Sequence, residues 1–160
     1  MMDVAIENNL WTSLKRVVIL FPYRDEQYYR TFRAQLDRML NESKVEKLEI
    51  IVLLPKEVKK EELPPHRLIH FISPKDFNLF GKLKGDLLYS VLSKDHDALL
   101  TFLNDDRKMD AALKTLKTKY RIGVNSQTGS FDIDLKGKDM DPAELVNFAK
   151  NTLQKLSTDE

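Results

Sequence analysis

The stretch SPKDFNLFGKLKGD, residues 73 to 86, crowds Lys75, Asp76, Asn78, Gly81 and Lys82 into one short loop. Its opening reads as the end of a strand and its close as the start of a helix. Two ammonium groups and a carboxamide at such a junction could hold a small anion, because the free N–H groups of a helix start favour negative charge. The same residues also fit a plain connection. Phe77 and Phe80 would then anchor it on the core, and Gly81 would permit the turn into the helix. Both readings stay open from the residues alone.

Other side chains could also do chemistry. Asp105 and Asp106 in LNDDR could bind magnesium or act as acid and base. The commoner use of such a pair is to cap the next helix and face its positive end. Arg24 in FPYRDE could clamp a phosphate with two parallel hydrogen bonds. No glycine nearby lets a phosphate reach the backbone, so a solvated first turn of helix is the plainer reading. His66, His70 and His96 fall at spacings that form no metal motif. Lys108, Lys114, Lys117, Lys119 and Arg121 make a basic run that suits the negative end of a helix. It has no interleaved aromatics on which single-stranded bases would stack.

Several function classes drop out. Neither G-x-G-x-x-G nor G-x-x-x-x-G-K-[ST] occurs, which argues against ordinary dinucleotide oxidoreductases and phosphate-loop NTPases. There is no G-x-S-x-G elbow for a hydrolase nucleophile. With no cysteine, thiol catalysis, iron–sulfur clusters, disulfides and cysteine zinc sites are excluded. No cofactor is expected. The formal charge is only +1, without the basic field that duplex nucleic acid requires, so no nucleic-acid partner is expected. No segment approaches the ~18 apolar residues of a membrane span, and the N-terminus lacks a secretory pattern. The expectation is a soluble cytoplasmic protein without membrane insertion.

The elements that must position these residues alternate. RVVILF (16 to 21) and LEIIVLLP (48 to 55) are β-branched apolar runs, the mark of strands buried on both faces. Between them, Tyr28, Phe32, Leu36 and Met39 or Leu40 repeat at helical spacing over residues 24 to 41. KEVKKEELPPH is a polar surface connection broken by Pro64 and Pro65. RLIHFIS (67 to 73) is a third strand, and Leu83, Leu87, Leu88, Val91 and Leu92 form a helical stripe after it. DALLTFL (97 to 103) and YRIGV (120 to 124) are further strands, with a helix between them carrying Met109, Ala112, Leu113 and Leu116. SFDIDL (130 to 135) is a shorter, more exposed strand. In the last helix Asp141 is the N-cap, Pro142 opens the first turn and Glu144 completes a capping box.

Alternating strands and helices predict an α/β fold of three layers, a Rossmann-like, mostly parallel sheet. The expected strand order is 3-2-1-4-5, with the sixth strand at an edge. At 160 residues the chain is one domain, 1–160, with its core over about 14–156. Ligands of such sheets sit beyond the carboxyl ends of the strands, where strand order reverses. That point falls between strands one and four, near Tyr23, Arg24 and Asp25 and near Asn104 to Asp106. Asn125 and Ser126, and Ser73, Lys75 and Asp76, follow the neighbouring strands.

The quoted loop, with DALLTFLNDD and YRIGVNSQTGSFDIDL, resembles an uncharacterised family of small proteins from Bacteroidetes-type bacteria. The likeness runs from about residue 14 to 156. In that family the loop after the third strand reads K-D-x-N-x-x-G-K, matched by Lys75, Asp76, Asn78, Gly81 and Lys82. More distantly, DALLTFL and LKTKYRIGV look like the N-terminal Rossmann half of heptosyltransferase-type glycosyltransferases. Those enzymes place the nucleotide sugar mainly in a second Rossmann domain, which this chain is too short to contain.

The leading expectation is a non-catalytic α/β binding or interaction module with an unknown partner, which could be another protein or, through the edge strand near 130 to 135, a second copy. The alternative is a binding domain for a phosphate, sugar or nucleotide sugar, related to a glycosyltransferase half and a degenerate enzyme. Its ligand contacts would be Arg24, Lys75, Asp76, Asn78, Gly81, Lys82 and Asp105, and they would converge on one cleft.

Overall fold

The computed structural model describes residues 9–41, 43–64, 68–78, 82–85, 88–102, 107–125, 131–137 and 140–156. Its organising element is β1 (Arg16–Pro22), in which every side chain from Val17 to Phe21 is buried. Alternation sends Val17, Ile19 and Phe21 to one face and Val18 and Leu20 to the other. Both faces must therefore be covered. β1 pairs in parallel with β2 (Lys47–Leu53) and β4 (Asp95–Phe102). β3 (Ile69–Ile72) lies outside β2, and β5 (Lys117–Val124) and β6 (Ile133–Leu135) lie beyond β4. The order is β3-β2-β1-β4-β5-β6, so the expected Rossmann-like α/β sheet is present with its sixth strand at the edge.

The first face carries most of the helix. α1 (Leu10–Ser13), α2 (Glu26–Asn41) and α4 (Pro142–Gln154) share one core with it. On α2, Tyr29, Phe32, Leu36 and Met39 are buried, and the Phe32 ring stacks on Phe21 with centroids 4.2 Å apart. Phe102 of β4 meets the same ring edge-on at 5.0 Å. α4 starts as its sequence predicts, with the Asp141 carboxylate accepting from Glu144 N and the Glu144 side chain from Asp141 N. The helix α1 has no counterpart in the sequence expectations, because one turn is too short to show a period. Asn9 caps it, accepting from Thr12 N at 2.9 Å, and Trp11 is 1% exposed.

The second face is thinner. Among the described residues its cover includes α3 (Arg107–Leu113), which buries Met109 and Leu113, and one wide π-type turn at Leu88–Leu92, which buries Val91 and Leu92. The helix expected from Leu83 onward is not formed there. Lys84 N donates to Asp76 O, Asn78 N donates to Lys82 O, and Phe77 and Leu83 pair as an antiparallel bridge. These bonds commit the backbone to a reversal, and Gly85 then takes φ +96°, which ends any helical path through it. Leu83 is still buried, but from an extended backbone.

Further along this face, Phe131 covers β5. Its ring lies against Gly123 of β5, where an added Cβ would come within 2.6 Å of it. Asn125 ends β5 at φ 58°, and its carboxamide accepts from Gly137 N and donates to Gly137 O, clamping the far end of β6. Gly123→Ala should destabilise the fold by about 1–3 kcal/mol through overpacking, and adding Phe131→Ala should recover part of that loss. Denaturant midpoints of the three proteins check it. Thr101 of β4 is fully buried and, among the described residues, its hydroxyl has no hydrogen-bond partner. Thr101→Val removes a buried polar atom with nothing to satisfy it, so it should raise stability by up to about 1 kcal/mol. A fall in the melting temperature would contradict that account.

Candidate functional site

Beyond the carboxyl ends of β2 and β3 the chain makes two polar connections that meet. After β2, Pro55 prevents a further ladder bond, and residues 56 to 62 run through Lys56, Lys59 and a 3-10 turn at Lys60–Glu62. Val58 and Leu63 pin this connection to the first-face core. After β3, Ser73 leads into a second 3-10 turn, Pro74–Asp76. Proline at the first position suits such a turn, since its missing N–H would have no partner there.

Asp76 joins the two connections. Its Oδ2 accepts from Ser73 N at 2.8 Å, from Ser73 Oγ at 3.4 Å and from Lys60 Nζ at 2.6 Å. Its backbone carbonyl accepts from Lys84 N. One residue thus closes the turn after β3, holds the connection after β2 and starts the reversal through residues 76 to 84. The Lys60–Asp76 pair is partly solvated, at 38% and 23% exposure. Its net contribution to stability is therefore small.

Around that pair is a cleft of about 450 Å³, lined by Lys56, Val58, Lys59, Lys60 and Glu61 from one connection and Ser73, Pro74, Lys75 and Asp76 from the other. Four lysines face two carboxylates, and among the described residues Lys56, Lys59 and Lys75 make no ion pair. Three primary ammonium groups with spare donors are well suited to an anionic ligand. A second cleft, of about 400 Å³, lies between α3 and β5, and its Arg121 is already committed. The Arg121 guanidinium donates to Leu113 O, Lys114 O and Leu116 O, tying off the carboxyl end of α3.

The residues singled out in the sequence are not all in one place. Lys75 and Asp76 line the lysine cleft. Asn78 and Lys82 close the reversal instead, with Lys82 N donating to Asn78 Oδ1 at 3.0 Å. The Lys82 N–H is thus engaged within the reversal and is not a free helix-terminal donor. Arg24 lies over the Tyr28 ring, 5.7 Å from its centroid, and does not line the cleft. Its neighbour Asp25 caps α2 by accepting from Tyr28 N. Gly81, Asp105, Asp106, His66 and Ser126 lie outside the described residues. His70 binds Glu49 across β3 and β2 at 2.6 Å, and His96 Nε2 lies 3.0 Å from Val91 O. Among the described residues no group of three acidic or histidine side chains could hold a metal, and no helix is long and apolar enough to cross a membrane.

Lys56, Lys59 and Lys60 were missed in the sequence. KEVKKEELPPH reads as a solvated connection, and its lysines alternate with glutamates that mask the excess. The signal available was the placement of that run just after a buried strand, where a doubly wound sheet presents its loops to ligands.

The signature of a family of unknown function, DUF6913, matches residues 5–156. The chain belongs to this family. The match covers the whole sheet, both 3-10 turns and α4, so the lysine cleft lies inside the DUF6913 unit. No curated protein and no solved structure matches the chain. The likeness of DALLTFL and LKTKYRIGV to a glycosyltransferase half therefore has no matched relative behind it.

The aromatic cluster beside this edge gives a pH signature. Burial holds the Tyr28 and Tyr29 phenols above their ordinary 10.0, while the Arg24 and Arg33 guanidiniums pull them down by less. The fold keeps the neutral phenol. Above pH 10 the unfolded chain loses these protons first, so stability present below that pH declines as pH rises toward the folded values. Tyr29→Phe should flatten the decline in denaturant midpoint between pH 9 and 11, and an unchanged slope would contradict the assignment.

Proposed function

We propose that this DUF6913 chain is a non-catalytic binding module that takes the anionic part of a small phosphate-bearing ligand in the lysine cleft. The observation that supports this reading is the meeting of Lys56, Lys59, Lys60 and Lys75 from two connections in one cleft. Its volume is within the range of small-molecule sites. Flexible ammonium groups recognise phosphate as point charges and adapt to its position, whereas a planar guanidinium would fix its orientation. The surplus of positive charge also steers anions toward the opening. Ser73 adds a hydroxyl within the same lining, and Lys75 and Asp76 are the residues of the sequence motif that take part.

Among the described residues the cleft offers chiefly ammonium groups and hydrogen-bond donors, which supports binding. The reading carries with it the expectation of a cytoplasmic location, where phosphorylated small molecules are abundant.

Thermal unfolding of the full chain with nucleotides, sugar phosphates and nucleotide sugars tests this. A ligand at a hundred times its Kd stabilises by about 2.7 kcal/mol, and each kcal/mol moves the midpoint by about 2–4 °C in a domain of this size. At least one phosphorylated compound should give such a shift, and Lys59→Met with Lys75→Met should remove most of it. No shift with any phosphorylated compound, or chemical conversion of the one that binds, would overturn the proposal.

A further inference from the structure

Resting on that anion-binding reading of the cleft, we propose that the Asp76 carboxylate is a built-in competitor for the ligand, holding the Lys60 ammonium that an incoming phosphate takes over. The donors on Asp76 Oδ2 are a backbone N–H, a hydroxyl and an ammonium, at 2.8, 3.4 and 2.6 Å. That is the donor set that holds a phosphate oxygen. In this cleft these donors serve an oxyanion supplied by the chain itself.

The arrangement has a consequence for selectivity. With Lys60 neutralised by Asp76, the cleft presents Lys56, Lys59 and Lys75 against Glu61. A ligand that engages Lys60 must exceed a single carboxylate charge. A phosphate dianion meets that requirement and a monocarboxylate does not, because attraction to the same ammonium scales with the charge offered. Asp76 thereby sets the ligand class as phosphate over carboxylate, and holds the affinity below what the lysines alone would give. It is a specificity residue that acts through Lys60.

Pyrophosphate titrated calorimetrically into the full chain tests the exchange, with acetate as the carboxylate control. Asp76→Asn keeps an oxygen for Ser73 N while removing the charge that holds Lys60. It should bind pyrophosphate about fivefold tighter or more, the lower range of coupling between sites. The gain should shrink when Lys60→Met is added, to the part that comes from Asp76 repelling the anion directly, and acetate should bind neither the parent nor Lys60→Met. A gain of the same size in the Lys60→Met background, or no gain from Asp76→Asn in a chain that binds pyrophosphate, overturns the exchange and leaves the cleft as a binding site. Failure of pyrophosphate to bind parent and Asp76→Asn alike overturns the exchange, and with no thermal shift from any phosphorylated compound it removes the cleft reading as well. Should Asp76→Asn not fold, Lys60→Met compared with Lys59→Met decides. The exchange requires the larger loss from Lys60→Met, which also exposes the Asp76 charge, and equal losses contradict it.

Discussion

The burial of β1 on both faces is the constraint from which the rest of this molecule follows. Val18, Ile19, Leu20 and Phe21 are all at 0% exposure, in a strand whose neighbours on both sides are parallel. Parallel pairing demands a crossover for every strand, and each crossover must also serve as cover. Polar side chains have no place along such a strand and are displaced to its ends. The chemistry available to the chain is therefore concentrated in the connections beyond the strands, and their composition decides what the surface can bind.

The two covers are unequal, and the difference places the cleft. On the first face, α1, α2 and α4 fill the layer with helix, and the Phe21, Phe32 and Phe102 rings lock α2 to the strands beneath. On the second face the cover is pieced together from short parts: a reversal carrying Phe77 and Leu83, one π-type turn, the short α3 and the Phe131 ring. The long connection from β3 to β4 has to leave the sheet edge and cross to this thinner face. Asp76 is the point from which it departs. The bonds that turn the backbone there also reach sideways to Lys60, which is how two connections with no sequence proximity come to share a wall.

The sheet was legible because its strands are short apolar runs at a period that burial imposes, and because Pro22 and Pro55 mark where they stop. The capping box of Asp141 and Glu144 was equally plain, since its residues are local. What the sequence concealed has a common physical origin in contacts between distant segments. Leu83 fits a helical stripe by spacing, yet hydrogen bonds of Asp76 and Asn78 with residues 82 and 84 take its backbone another way. Lys60 and Asp76 are sixteen positions apart, and neither predicts the other. Arg24, Asn125 and Arg121 have the side chains of binding residues, but each is bound to the fold: over Tyr28, around Gly137 and at the end of α3.

That last pattern bears on where a ligand can be held. Doubly wound sheets usually bind at the reversal of strand order, here between β1 and β4. In the described residues on the β1 side of that crevice the polar groups already have internal duties. Tyr23 N donates to Leu53 O, Asp25 caps α2 and Arg24 covers Tyr28. A polar group with its hydrogen bonds made inside the protein gains little from a ligand, because binding only exchanges one partner for another. One strand over, the lysines after β2 have flexible stems, solvent on their donors and one internal acceptor among them. The capacity to bind lies with groups that the fold positions without satisfying, and in this chain the β2–β3 edge is where the described residues leave them.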